Sequence, residues 1–476
     1  MGQKITIEPV TRIEGHARVT IHVDDAGHVE RAYFHVDQFR GFEKFSEGRM
    51  FFEMPAITPR ICGICPVSHH LVSAKACDMI IGVKPPRPAS LLRELMHMGQ
   101  MIQSHSMHFF YLAGPDLILG FDADPKIRNV VGVIEANPEL ALKAVKLRKY
   151  GQEIIRTLGG RRIHPKFAVP GGVNKALTAP ERDEMLAPID EMIGYMQEGL
   201  ALAKQWLEAN QEVVQRFANF RSGYMGLVDA KTGALELYDG PVRLVDRDGN
   251  LLEQFEGQDY LHYIREHVED WSYLKFPYYK KMGWPDGVYR VAPLGRLNVA
   301  DCISTPIANE EFKKFKALAQ GPVEPTLYMH YARLIEDVYA AERARQILED
   351  PDVLSTDIIA ESNVITGEGV GVIEAPRGTL WHHYWTNEDG QITRVNLIVA
   401  TGNNNWAMSN SVDMVAKEFV DPKNLTEGML NRVEAAIRAY DPCLSCSTHA
   451  VGQMPLIVEV RGPDGELMRR VQRDSV

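Results

Sequence analysis

The chain has 476 residues, of which 45% are hydrophobic and 24% charged, an ordinary balance for a globular protein with more than one subdomain. Its net charge of −11 argues against a nucleic-acid or anionic-membrane partner. No apolar run approaches the ~18 residues of a membrane span. The N-terminus has no signal-peptide hydrophobic stretch, so we expect a cytoplasmic protein.

The first part of the chain changes from a strand pattern to a helix pattern. Hydrophobic and polar residues alternate over 17–23 and 32–36, with a turn at 24–27, which predicts strands. Apolar residues then recur at steps of three and four from Leu91 to Leu112, which predicts a long helix that Pro88 can open.

Further helices and strands follow in a mixed order. A second helix is predicted between Asn137 and Gly159, and a third opens with the capping box of Thr178 and Glu181 and can bend at Pro188. The remaining elements that the patterns predict are a hairpin at 248–249, helices at 307–319, 326–348 and 427–440, strands at 370–374 and 392–399, and a hairpin at 463–465.

These elements predict an α+β, predominantly α fold: a central bundle of long helices with small β-sheets at its periphery. We expect five segments in chain order. They are an N-terminal β region (1–60), a first part of the bundle (61–222), a β-rich and aromatic-rich insertion (223–305), a second part of the bundle (306–449) and a C-terminal extension (450–476).

Two Cys-x-x-Cys pairs near opposite ends of the chain are the most informative feature. Cys62 and Cys65 form the first pair and Cys443 and Cys446 the second, and a histidine follows each pair. Four thiolates on one ion make a soft site that suits nickel, zinc, copper(I) or an iron–sulfur cluster. The several hundred residues between the pairs fit a shared metal site better than a structural zinc module, a redox dithiol or unrelated buried cysteines.

Five motifs occur in the same order as in one known family, at 9–16, 40–43, 60–69, 375–378 and 441–449. The chain thereby resembles the large, catalytic subunit of nickel–iron hydrogenases, and the stretches 104–116 and 271–279 are most similar to the cytoplasmic bidirectional NAD-reducing members. A homologous subunit of quinone-reducing respiratory complexes lacks the nickel cysteines. All four cysteines are present here, which disfavours that alternative.

The resemblance implies a bimetallic site for reversible heterolytic cleavage of H2. Cys62, Cys65, Cys443 and Cys446 would bind nickel, and Cys65 and Cys446 would bridge to an iron that carries carbon monoxide and cyanide. The polarisable thiolates and strong-field ligands suit the cleavage of H2 into a proton and a hydride, while the protein supplies geometry and excludes water.

The resemblance also assigns roles around the metals. Arg377 would lie over them, with Asp116 and Asp441 holding its guanidinium in place. Glu14 would take a proton from a terminal thiolate, that of Cys443, although the proton-accepting base stays open between Arg377 and a cysteine.

Other residues would contact the ligands or a second ion. His69 would hydrogen-bond a cysteine sulfur, and Thr401 and Pro376 would contact the cyanides, although Ala400 stands where many relatives have proline. A magnesium-like ion, or iron, would be held by Glu43, the carbonyl of Leu397 and His449.

The sequence predicts that electrons leave through other chains. Cys77 and Cys302, the two cysteines left over, are too few for an all-cysteine iron–sulfur cluster, and Gly367, Gly369 and Gly371 do not form a dinucleotide fingerprint. We therefore expect no iron–sulfur cluster, flavin or NAD on this chain. The expected partners are flavin-containing, NAD-binding diaphorase subunits and an iron–sulfur small subunit.

Three alternatives remain open at this point. The same chemistry could serve another acceptor, namely NADP, a deazaflavin or ferredoxin. The chain could be a non-catalytic subunit of a quinone-linked complex or a zinc-stapled binding protein. Residues 450–476 resemble the extension that a maturation protease removes after metal-insertion chaperones have loaded the site, and we expect the attached tail to hold the second cysteine motif open.

Overall fold

The computed structural model describes residues 3–38, 40–450 and 456–473. Its helices are α1 (Phe42–Ser46), α2 (Met54–Ile57), α3 (Pro66–Ile80), α4 (Arg87–Met107), α5 (Gly114–Leu119), α6 (Val130–Ala136), α7 (Pro138–Gly159), α8 (Ala179–Leu186), α9 (Ile189–Ala209), α10 (Gln211–Arg216), α11 (Tyr260–Tyr263), α12 (Ala292–Val299), α13 (Pro306–Lys316), α14 (Tyr328–Glu349), α15 (Ala400–Asn403), α16 (Asn405–Phe419), α17 (Glu427–Ala439) and α18 (Leu444–Ser447).

Short strands make up several small sheets. The strands are β1 (Lys4–Ile7), β2 (Arg18–Val23), β3 (Val29–His35), β4 (Ala168–Val169), β5 (Gly172–Val173), β6 (Gly223–Leu227), β7 (Val242–Val245), β8 (Leu251–Phe255), β9 (Ile264–His267), β10 (Phe276–Tyr279), β11 (Tyr289–Arg290), β12 (Glu368–Ala375), β13 (Gly378–Thr386), β14 (Ile392–Ile398), β15 (Leu456–Arg461) and β16 (Leu467–Arg473).

Long helices form the centre of the molecule, as predicted. Helix α4 packs against α7 and α14, and α14 also packs against α9. The apolar stripe predicted for α4 is observed, and a π-helical turn, His108–Ala113, continues this helix. Helix α14 is buried on almost every side, so it is the innermost element of the bundle. The prediction of a predominantly α bundle with peripheral sheets is confirmed.

The predicted helix that begins at Thr178 is interrupted where the sequence has Pro188. The Thr178 amide donates to Oε2 of Glu181 at 3.1 Å, and the capping box opens α8. Pro188 lacks an amide hydrogen and cannot continue the hydrogen-bond ladder, and α9 begins directly after it. The predicted bend is therefore a break between two helices.

The sheet that leads to the site is β12-β13-β14, antiparallel throughout. Strand β12 crosses α3 at very short range, because a Cβ built on Gly369 or Gly371 would lie 2.1 Å from the carbonyl oxygens of Ala76 and Val72. These glycines serve helix–sheet packing, which agrees with the absence of a dinucleotide fingerprint in the sequence. Strand β13 was not predicted.

The other sheets lie at the edges. The order β1-β2-β3 is antiparallel, and β11 pairs in parallel with β6 in the sheet β11-β6-β7-β8. The two predicted hairpins are β7–β8 and β15–β16. Residues 451–455 and 474–476 of the predicted extension lie outside the described residues, and the five-segment division stays a prediction. Among the residues that the structure describes, none of the helices has the length and apolarity needed to cross a bilayer.

Candidate metal centre

The two cysteine pairs meet in the interior. Cys62 ends a 3-10 turn and Cys65 is the N-cap of α3, while Cys443 is the N-cap of α18 and Cys446 lies within it. The four sulfurs lie within 4.8 Å of one another, and Sγ of Cys62 is 3.2 Å from that of Cys443. Sγ of Cys65 is 3.3 Å from that of Cys446. The predicted convergence of the two ends of the chain is observed.

The donor set fits a soft cation. All four cysteines are at most 5% exposed, and burial raises the pKa of the Cys443 and Cys446 thiols. A hydrogen bond from Cys443 instead lowers the pKa of Cys62. Four sulfurs at this spacing cannot all ionise in a dry interior without a cation, whereas a bound metal deprotonates them. The arrangement therefore suits a thiolate-bound metal centre.

Arg377 lies in the turn between β12 and β13 and is 2% exposed. Its Nη2 donates to Oδ1 of Asp441 at 3.0 Å, and its Nη1 donates to Oγ of Ser104 in α4 at 3.3 Å. Burial opposes its charge, but Asp441 and the cysteines, Cys443 foremost, raise the pKa of Arg377 above its ordinary value. Arg377 is therefore a fixed guanidinium and a poor base.

The Nε of Arg377 is a buried donor without a partner among the described residues. A buried unpaired donor costs about 1–3 kcal/mol. An anionic ligand on the metals would accept this hydrogen bond, so the orphaned Nε fits the cyanide contact that the sequence predicted.

A buried ionic network fixes the turn that carries Arg377. Both oxygens of Glu336 accept from Arg296, at 2.7 and 2.6 Å, and Glu374 accepts from Arg296 at 2.8 Å. The same guanidinium donates to the carbonyl oxygens of Ala375 at 2.8 Å and Pro376 at 3.1 Å. Pro376 thus lies in the predicted turn, and Arg296 anchors its backbone. Sequence reasoning missed this network, because the three residues share no motif.

Asp116 lies elsewhere than predicted. Its carboxylate accepts from Nη2 of Arg12 at 2.5 Å and from Nη1 of Arg438 at 2.7 Å, and it also binds Asn431. The contacts described for Arg377 are with Ser104 and Asp441 instead. The role predicted for Asp441 matches its position, whereas Asp116 joins the N-terminal motif to α17. Two arginines already occupy both oxygens of Asp116, so it is not the partner of Arg377.

Glu14 lies alongside the second cysteine motif. Its carbonyl oxygen accepts from the Leu444 amide at 3.1 Å, and its Oε2 accepts from the Ser445 amide at 3.1 Å. The backbones of Glu14 and Cys443 form an isolated parallel bridge. The structure therefore brings the predicted proton acceptor to the predicted thiolate.

Gly15 allows this close approach, which gives a test of the local packing. It has φ +87°, and a Cβ would lie 2.7 Å from Cβ of Leu444. Gly15→Ala should cost about 2–4 kcal/mol, because left-handed strain and overpacking add. Calorimetric Tm and nickel content measure the effect.

Gly48→Ala is the matched control. Gly48 has φ +80° with no atom within 4 Å of a Cβ, so this substitution adds strain without overlap, at a cost of about 1 kcal/mol. Equal Tm losses in the two variants would show that contact with Leu444 is unimportant.

Two of the predicted cofactor-contacting residues differ in how they meet the site. Oγ1 of Thr401 accepts from the Cys443 amide at 3.0 Å, which places the hydroxyl at the cysteine motif. His69, by contrast, has its Nδ1 3.0 Å from Nε2 of His382. The hydrogen bond that the structure gives His69 is thus with a histidine and not, as predicted, with a cysteine sulfur.

The residues predicted for the second ion also meet. Oε1 of Glu43 lies 2.9 Å from Nδ1 of His449 and accepts from the amide of Leu397 at 2.8 Å. Burial opposes ionisation of Glu43, but the charge of His449 lowers its pKa below the ordinary value. One carboxylate and one imidazole at this distance are compatible with a shared ion, and the ion itself stays a prediction.

Comparison with known proteins decides the family. The family model described as nickel-dependent hydrogenase matches residues 40–127 and 241–449, and a second, described as HoxL-like, matches residues 4–39. The chain belongs to the nickel-dependent hydrogenase family. The resemblance drawn from the five motifs is therefore confirmed, and the alternative of a zinc-stapled binding protein is not supported.

Full-length hydrogenase relatives support the same assignment. The NAD-reducing hydrogenase HoxS subunit beta of Cupriavidus necator is 46% identical, over 98% of this chain and 99% of that protein. The F420-non-reducing hydrogenase of Methanothermobacter marburgensis has one polypeptide that is also 46% identical, over 98% of this chain and 100% of that protein.

Solved hydrogenase structures share the fold. An NAD+-reducing [NiFe]-hydrogenase in the H2-reduced state has a TM-score of 0.91 and 45% identity, with 94% of this chain and 99% of that chain covered. The H2-activated [NiFeSe]-hydrogenase of Dm. baculatum has a TM-score of 0.77 and 25% identity, with 94% and 100% covered. Together with the four-cysteine cluster, these matches support a nickel–iron hydrogenase large subunit.

The hydrogenase site is closed although the extension follows it. His449 is 4% exposed, and its carbonyl oxygen accepts from the Glu43 amide at 3.2 Å, while the Thr448 carbonyl accepts from the Arg40 amide at 2.7 Å. The expectation that an attached tail holds the second cysteine motif open is therefore not met. Cleavage of the tail stays a prediction.

Proposed function

We propose that this chain is the catalytic large subunit of a cytoplasmic nickel–iron hydrogenase that oxidises H2 reversibly and passes the electrons to NAD+. The observation that carries the proposal is the meeting of four buried thiols from both ends of the chain beneath Arg377. When bound, the nickel–iron centre supplies the heterolytic cleavage of H2.

The residues of the chain have separate tasks in this reaction. The four cysteines hold the metals, and Arg377 presents a fixed positive charge to the ligands in a site that excludes water, where such a donor acts strongly. Glu14 receives the proton from the thiolate of Cys443 and carries it away. Thr401 and Pro376 border the ligands. Glu43, the carbonyl of Leu397 and His449 hold a magnesium-like ion or iron.

Electrons must leave through a partner. Cys77 is buried and donates its thiol hydrogen to the carbonyl of Phe51 at 3.2 Å, and Cys302 lies in a separate bridge with Ala234. These positions support no cluster, so an iron–sulfur small subunit takes the electrons and flavin-containing diaphorase subunits deliver them. We further propose that metal-insertion chaperones load the site and that a maturation protease removes residues 450–476.

The acceptor is argued from the relatives. The relative named NAD-reducing and those named F420-non-reducing are equally identical at 46%, so identity alone does not separate the acceptors. The match to an NAD+-reducing enzyme at TM-score 0.91 favours NAD+. NADP, a deazaflavin or ferredoxin would be the acceptor if different partners bind this chain.

Purification with the native partners tests the proposal. We expect nickel and iron in equal amounts, infrared bands of carbon monoxide and cyanide, and H2-dependent reduction of NAD+ faster than that of NADP+. Preparations that contain zinc and show no such bands would overturn the hydrogenase assignment. Bands with reduction of another acceptor alone would overturn only the NAD+ assignment.

A further inference from the structure

The short segment that carries Glu14 is held from outside the metal centre. Oε1 of Glu434 in α17 accepts from the Thr11 amide at 2.6 Å and from the Thr11 hydroxyl at 2.9 Å. Nε of Arg438 in the same helix donates to the carbonyl of Thr11 at 3.0 Å. The residue three positions before Glu14 is thus tied to the helix that ends just before Cys443.

Arg12 makes the second attachment. It adopts left-handed backbone geometry, with φ 55°, which an arginine adopts only when its surroundings enforce it. Its Nη1 donates to the Leu112 carbonyl at 2.7 Å and its Nη2 to Asp116 at 2.5 Å. Both acceptors belong to the chain that follows α4, on a different element from the Thr11 contacts.

Asp116 is the centre of this clamp. Its side chain is 3% exposed, against 1% for Arg438 and 15% for Arg12, so both ion pairs lie in a low-dielectric setting. Burial opposes the charge, but Arg438 and Arg12 lower the pKa of Asp116. A charged carboxylate between two guanidiniums fixes both arginines, because losing either leaves a buried charge uncompensated.

We propose that Arg12, anchored on Asp116, is a positioning residue that holds Glu14 against residues 443–445. The backbone of Arg12 and the Glu14 contacts with Leu444 and Ser445 lie two residues apart at most. Loss of the anchor therefore frees the segment to relax out of left-handed geometry and withdraw the carboxylate. This inference rests on the proposed proton role of Glu14.

Amide exchange and a double-mutant cycle test it in the complete enzyme complex. Arg12→Gln should speed hydrogen–deuterium exchange at the Leu444 and Ser445 amides by about 10-fold, since their acceptors on Glu14 are displaced. Exchange of D2 with water should fall by about 10- to 100-fold, while conversion of para- to ortho-hydrogen persists. The double variant with Glu14→Gln should lose no more than Glu14→Gln alone, because both act at one step.

Arg432→Gln is the matched control, since it removes a guanidinium from α17 that pairs with Asp122 at 2.6 Å on the surface. It should change neither measurement. Multiplied losses in the double variant would overturn the clamp. If Arg12→Gln loses nickel, the isosteric Asp116→Asn is measured in the same way, and nickel loss in both would also overturn it. An unchanged Glu14→Gln enzyme would overturn the proton role of Glu14 together with the clamp.

Discussion

Arg377→Lys is expected to lower the rate of H2 oxidation by about 100-fold or more while nickel and iron stay bound. A lysine ammonium is a point charge without the planar fork, so it cannot hold Asp441 and also point a donor at the ligands. The guanidinium does the first through Nη2 and leaves Nε free for the second. Turnover, metal content and the cyanide infrared bands are measured together.

Arg343→Lys is the control for this substitution. Arg343 lies in α14 and makes a two-pronged pair with Glu94, at 2.6 and 2.9 Å, away from the cysteines. We expect its turnover to stay close to that of the unaltered enzyme. Arg377 would have no part in the reaction if Arg377→Lys, with full metal content, turned over at the control rate.

The long helices and the metal centre could be predicted because each has a local signal. The stripe in α4 and the cap that opens α8 are patterns of spacing that the backbone imposes. The two cysteine pairs were more informative still. Thiols spaced to share an ion, with no room for a complete site in either motif, predicted a contact between distant parts of the chain, and the structure has it.

Elements buried on all sides gave no such signal. Helix α3 is buried on nearly all of its faces, so its sequence lacks an apolar stripe, and it was not predicted. Strand β13 has buried histidines and tryptophan on both faces, which removes the alternation of a half-buried strand. Tertiary packing decided both elements.

The charged core residues were the largest omission at the site. Arg296, Glu336 and Glu374 are fully buried together, although single charged residues in a sequence usually belong to the surface. Their pairing depends on three elements meeting, which no spacing in the sequence records. The same limitation explains Asp116, whose motif was recognised but whose partners, Arg12 and Arg438, come from the two ends of the chain.

Cys446→Ala is expected to abolish nickel binding and reduce turnover to background. Its sulfur lies 2.8 Å from that of Cys443 and 3.3 Å from that of Cys65, so the proposed bridging ligand is central to the cluster. Three remaining thiolates would leave the soft cation with an incomplete set in a site that excludes water as a substitute. Nickel and iron analysis, with the infrared bands, reports the loss directly.

Cys77→Ala separates this effect from the removal of any buried thiol. Cys77 is as buried as Cys446 but contacts the Phe51 carbonyl, so its loss should leave metals and turnover intact and lower only Tm, by a few degrees. If Cys446→Ala instead retained nickel at the level of Cys77→Ala, the second cysteine pair would not be a ligand pair. The buried thiols would then be a packing feature, because a metal that ignores one of four adjacent sulfurs is not held by the cluster.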